Sequence, residues 1–193
     1  MKIPALILAI TLLAGCASKS DYYVSATPVH IPQTATYWID SFDLTLVGEN
    51  PRFLSQDILR QRLRNQLSDK LSTIGRYAKS RESADYLLEV STVYTRHISD
   101  SKGGLVSMIV DDNTILASVD FSYKVNVFKS GAEVLSFAQA RDRLMPAGVQ
   151  GNLRNYKTMW SAISNKGNSD VEEFYVDVLP NFIVKDIEGI PSH

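Results

Sequence analysis

Three histidines and one cysteine are the scarcest reactive side chains of this 193-residue sequence, and each invites a different chemistry. His30 stands in a Ser/Thr/Pro-rich stretch and His193 is the last residue, which leaves His97 as the one candidate general base. Ser99, Asp100 and Ser101 follow it, the residue types of a nucleophile–base–acid set. Such a set also needs an oxyanion site, and no Gly-x-Ser-x-Gly elbow occurs. His97 therefore reads as a histidine at a strand end, no catalytic residue is assigned, and the chain is not expected to be an enzyme; a hydrolase ranks last. Metal chemistry fares no better. There is no His-x-x-x-His pair, and Asp111-Asp112-Asn113 lacks the spacing of a calcium loop, so it reads as a turn. Gly103-Gly104 and the pair Gly148 and Gly151 do not join a strand to a helix with Lys-Ser/Thr, so neither is a phosphate loop. No metal and no dissociable cofactor is expected.

Cys16 is different, because its surroundings are organised. Met1 and Lys2 give a cationic start, Ile3 to Leu13 an apolar run, and Ala14-Gly15 a pair of small residues before the thiol. That order marks a secretory signal. The run is too short to cross a bilayer, which needs about 20 apolar residues. A chance cysteine after an ordinary cleavage site is the competing reading. It is disfavoured because Cys16 is the single cysteine and stands where the cut would fall. With no second cysteine there is no intrachain disulfide, and the core must come from packing.

The tetrad Leu13-Ala14-Gly15-Cys16 resembles the lipobox of bacterial lipoproteins. The resemblance implies cleavage between Gly15 and Cys16, a diacylglycerol thioether on Cys16 and an acyl group on its new N-terminus. One chain binds a membrane marginally, with roughly 0.8 kcal/mol per buried methylene, whereas three hold durably. Ala17 and Ser18 lack the aspartate that keeps many family members in the inner membrane, so the resemblance implies an outer-membrane anchor with the domain in the periplasm.

Composition is that of one globular domain, with 45% hydrophobic and 21% charged residues. The formal net charge of −1 lacks the basic excess that nucleic acid requires. The expected organisation is a signal at residues 1–15, a lipidated tether at 16–34 and a domain at 35–188. Within the tether, Tyr22-Tyr23 suits either a headgroup layer or a short edge strand.

The elements that must position any site follow from periodicity. Residues 36–47 alternate as a strand, and a helix begins at Pro51 or at Ser55. Leu59, Leu63, Leu67 and Leu71 form its stripe, with Ile58 and Ile74 assigned to the same side and Gly75 as the stop. Arg60, Arg62 and Arg64, with Lys70 and Arg76, lie off that stripe. They form either a basic face for anionic headgroups or an acidic partner, or a solvated surface. Strands are expected at 84–96, 105–110, 115–128 and 133–145, the last two joined by a hairpin at Lys129–Ala132. A short helix is expected within 149–168. Ser169-Asp170-Val171-Glu172 reads as a capping box opening a helix with Val171, Phe174, Tyr175, Val178 and Phe182 inward, ended or kinked by Pro180. Residues 189–193 are expected to fray. The fold class is α+β, a mainly antiparallel sheet with two helices packed on one face.

This order behind a lipobox resembles small Gram-negative envelope lipoproteins. Arg52-Phe53-Leu54, Val93-Tyr94 and the Ser130-Gly131 hairpin are similar to YajG-type lipoproteins. Tyr22-Tyr23, the helix from Leu59 to Leu67 and Leu87-Leu88-Glu89-Val90 are similar, less closely, to PqiC-like auxiliary lipoproteins of ABC-type lipid transport. The stretch those auxiliaries carry between first strand and first helix is missing, since Val47 runs almost directly into Pro51. The resemblance implies a lipid-anchored accessory or docking module with an envelope protein partner, or alternatively a lipid-contacting transport auxiliary. The apolar, uncharged run Leu105, Val106, Met108, Ile109 suits an exposed docking edge or a buried strand.

Overall fold

A computed structural model describes residues 29–100, 114–144 and 169–191. Its elements are β1 (Tyr37–Val47), α1 (Gln56–Thr73), β2 (Tyr86–Asp100), β3 (Thr114–Lys129), β4 (Ala132–Leu144) and α2 (Ser169–Glu188). The described strands form one sheet in the order β1-β2-β3-β4. β1 runs parallel to β2 and the other two pairings are antiparallel, which gives the mainly antiparallel α+β sheet the alternation implied. The parallel pair follows from chain geometry, because α1 carries the chain back to the starting end of the sheet between β1 and β2.

Each strand turns one row of side chains toward the helices. Tyr37, Ile39, Phe42, Leu44 and Leu46 of β1 are buried, as are Leu88, Val90 and Tyr94 of β2. Val119, Phe121, Tyr123, Val125 and Val127 of β3 continue the layer. Residues between them face away, so among the described residues the helices cover one face of the sheet, which is the normal state of an antiparallel sheet. Ser130 and Gly131, with φ of 51° and 81°, make the tight left-handed turn between β3 and β4.

α1 begins after Ser55, the later of the two expected starts, and Gly75 leaves it at φ 71° as expected of a helix stop. Leu59, Leu63, Leu67 and Leu71 are fully buried, each contributing about 1.5–3 kcal/mol by leaving water. Ile58 and Ile74 do not join them and are exposed. Ile58 lies about 100° around the helix from Leu59, and Ile74 follows the last helical residue.

α2 departs further from expectation. It passes through Pro180 to Glu188 instead of ending there. Its buried side is Glu172, Tyr175, Val176, Leu179, Ile183, Val184 and Ile187, while Phe174, Val178 and Phe182 lie half-buried on the flank. Burial of Leu179, Ile183 and Ile187 holds helix on both sides of the proline, outweighing the lost backbone bond. At the termini, Ile31 is 1% exposed and Ile190 8%, and both belong to the core. Ile31, expected within the tether, is therefore a core residue, and the C-terminal end does not fray at Ile190. Gly15, Cys16, Tyr22-Tyr23, the run Leu105 to Ile109, the Asp111-Asp112-Asn113 turn and the short helix at 149–168 lie outside the described residues.

Candidate functional site

His97 is placed near the far end of β2 by strand pairing, opposite β3. Its Nε2 lies 2.6 Å from Asp120 Oδ2, and Asp120 Oδ1 accepts the Arg143 N–H at 2.6 Å. The Arg143 amide, then the imidazole, hold the Asp120 carboxyl below the usual carboxylate range. Arg143 adopts a φ of 48°, unusual for a residue with a side chain, and that turn aims its amide at the carboxylate. Asp120, across the strand pair and 23 residues on in sequence, is thus a partner of the histidine. A carboxylate-held imidazole is half of a general-base arrangement. Among the described residues, no serine or threonine hydroxyl is bonded to the ring. Nor do three or more described His, Cys, Asp or Glu side chains gather as they would around a metal ion.

The arginines of α1 each have a partner within the fold. Arg60 pairs with Asp57 of its own helix at 3.0 Å, and Arg62 reaches Glu173 of α2. Arg64 Nη2 donates to the Ile39 carbonyl at 3.2 Å, and Lys70 meets Asp177 at 3.0 Å. Arg76 is not a surface residue at all, being only 7% exposed.

Two buried arginines hold the two ends of the domain. At the end near His97, Arg96 Nε donates to Glu172 Oε1 at 2.7 Å and Nη2 to Oε2 at 3.0 Å. The same Nη2 also donates to the Leu54 carbonyl. Glu172 further accepts the Leu54 N–H at 2.7 Å and the Tyr94 hydroxyl at 3.2 Å. Burial first, and the Glu172 charge second, push the Tyr94 hydroxyl well above its ordinary pKa. The carboxylate expected to cap its own helix thus reaches across the core to join β2, α2 and the segment before α1. Spacing is the signal that bears on both: Arg96 lies two places after Tyr94 on β2, and Glu172 precedes Tyr175 by three positions on α2.

At the opposite end, Arg76 Nε donates to the Ala35 carbonyl at 3.1 Å, Nη1 to Ile187 at 3.4 Å and Nη2 to Pro32 at 3.3 Å. Its Nη2 also meets the Tyr37 hydroxyl at 3.0 Å, with the guanidinium 4.9 Å from that ring's centre. Burial, opposed by Arg76, pushes the Tyr37 hydroxyl up to about 12. Three carbonyls, including one from the last turn of α2, thus replace water around the cation. Ile31 N–H donates to the Pro191 carbonyl at 3.0 Å. The incoming N-terminal chain is therefore keyed into the core.

The sheet edges differ. β1 is guarded by α1 and its following turn: Gln56 Oε1 accepts the Leu46 N–H, Arg64 binds the Ile39 carbonyl, and Tyr37 exchanges backbone bonds with Arg76 and Ala78. β4 is the other outer strand and carries exposed Arg141, Asp142 and Arg143, charges that discourage indiscriminate pairing. Among the described residues no helix is long and apolar enough to cross a membrane.

No family profile and no curated protein matches the chain. Among solved structures, a point variant of the PelC dodecamer from Paraburkholderia phytofirmans aligns at 15% identity and TM-score 0.34, over 78% of this chain and 96% of that one. A second crystal form of the PelC dodecamer aligns at 15% identity and TM-score 0.31 over the same shares. At these scores neither likeness carries an argument about this chain.

Proposed function

We propose that this chain is a lipid-anchored outer-membrane lipoprotein that works in the periplasm as a non-catalytic accessory module, docking a protein of the envelope. The observation that supports this most is the keyed entry of the N-terminal chain, with Ile31 in the core and Arg76 on the Pro32 and Ala35 carbonyls. A membrane hold on Cys16 transmits to the domain through that joint, since the chain cannot slide out without unburying an isoleucine and an arginine. The cationic, apolar and small-residue order before Cys16 marks that thiol for the acyl chains that supply the hold. The His97–Asp120 pair is then a surface hydrogen-bonded contact, not half of a catalytic set.

The test is fractionation of envelopes carrying the wild type and Cys16→Ser. The wild type sediments with outer membrane, and the variant appears as a soluble or uncleaved species. Identical membrane association of both would end the reading. Crosslinking in the intact envelope, followed by identification of partners, yields a discrete envelope protein if docking is the task. Turnover of a substrate by the purified domain alone would contradict it.

A further inference from the structure

We propose that the end of the domain where the N-terminal chain enters rests on the lipid surface, through a band formed by Trp38, Tyr77, Leu87 and Phe128. The inference rests on the lipid anchor at Cys16 and adds which face of the domain the membrane meets.

The sheet register assembles the band. Trp38 of β1 stands opposite Leu87 of β2, and Leu87 opposite Phe128 of β3. Their neighbours Tyr37, Leu88 and Val127 point into the core with 0% exposure, so these three share the sheet face opposite α1 and α2. Tyr77, in the turn after α1, stacks on Trp38 with ring centres 5.4 Å apart and planes at 20°. All four side chains are half-buried. The next rows along that face are Ser41, Glu89, Asn126 and Ser136, then Asp43, Ser91, Lys124 and Ala138, which are mainly polar. Farther on, Val47 and Val93 are exposed singly. The aromatic band is thus confined to one end.

That end is also where the anchor arrives. The described chain starts at Val29, thirteen residues after Cys16, a reach of at most about 45 Å at roughly 3.5 Å per residue. Ile31, Pro32 and Ala35 are fixed by Pro191 and Arg76 next to the start of β1. The undescribed stretches 101–113 and 145–168 join the fold at the opposite end, after Asp100 and Leu144. Trp and Tyr favour the headgroup layer, where a ring meets apolar chains and its polar atom meets water. Charge does not choose the seat: Arg81 is tied to Asp40 at 2.5 Å, and Lys129 acts on the Asp85 carboxylate. The contact is therefore expected to be insensitive to anionic lipid content.

The chain has two tryptophans, so Trp160→Phe leaves Trp38 as the sole reporter. The lipidated full-length variant is reconstituted into phosphatidylethanolamine–phosphatidylglycerol vesicles, with lipids brominated close to the headgroup as quenchers. Trp38 emission shifts to shorter wavelength and is quenched, to the same extent when phosphatidylglycerol is replaced by phosphatidylcholine. Protein that co-floats with the vesicles but keeps unquenched Trp38 emission overturns the orientation and leaves the anchor standing, the band then being free or covered by a protein or a second copy. Protein that does not float at all overturns the anchor and the orientation together. Should Trp160→Phe lose the fold, Trp38→Phe reports the same quantity as the quenching that disappears.

Discussion

Removing Glu172 tests whether the buried ion pair holds the far end of the domain. Arg96 and Glu172 are 1% and 0% exposed, joined by two charge-assisted bonds at 2.7 and 3.0 Å. Glu172→Ala strands the guanidinium with only carbonyl partners and leaves the Leu54 amide and Tyr94 hydroxyl without their acceptor. Breaking one side of such a pair costs about 3–5 kcal/mol, a large part of the roughly 5–15 kcal/mol that a domain commands. In urea, with a slope of about 2 kcal/mol/M for a domain of this size, the midpoint falls by about 2 M while the slope holds. Replacing both partners, Arg96→Met with Glu172→Leu, recovers much of the loss, because no charge is then left buried alone. A Glu172→Ala midpoint within about 0.3 M of the wild type, again at a slope near 2 kcal/mol/M, would refute the reasoning. It would mean that water or another cation partner reaches Arg96.

Three further outcomes follow from the same physics. Leu63→Asp places a charge at a position with 0% exposure, so thermal unfolding is lost or moved below physiological temperature; an unchanged melting curve would mean that the helix stripe is misplaced. His97→Ala removes a contact with Asp120 whose side chains are 44% and 32% exposed, costs less than about 1 kcal/mol, and leaves envelope function intact; complete loss of function would reopen a catalytic reading. Asp85 is held below its ordinary 3.8 by the Thr36 amide and hydroxyl, and Asp40 by Arg81. A carboxyl with a lowered folded pKa stabilises above its unfolded value and stops doing so as pH falls through the folded one. Stability is therefore flat near neutrality and declines below about pH 4, and Asp85→Asn makes that decline shallower; an unaltered acid limb would contradict the assignment.

The parts of the fold legible in the sequence are those set by local periodicity. Leu59, Leu63, Leu67 and Leu71 announce α1, and the alternation from Val119 to Val127 announces β3, because in each case one face must leave water. What escaped depends on partners distant in sequence. Glu172 sits at the third place after Ser169 and looks like a local cap, yet its partners Tyr94, Arg96 and Leu54 lie 78, 76 and 118 residues away. Arg76 follows a helix stop in a basic run and reads as solvated; only the arrival of Ala35, Pro32 and the end of α2 makes it a core residue. Ile31 lies between prolines and histidine in a stretch with no period, so nothing local marks it as buried. The band of Trp38, Leu87 and Phe128 exists only in the register of three strands. The lipobox-like tetrad is the opposite case, carried by four adjacent residues and independent of the fold.

The mass of the N-terminal peptide of the mature, membrane-extracted protein tests the central claim most directly. The account predicts a first residue Cys16 carrying a diacylglycerol thioether and an amide-linked acyl group. A free Cys16 thiol, or a mature chain that starts at any other residue, would contradict it.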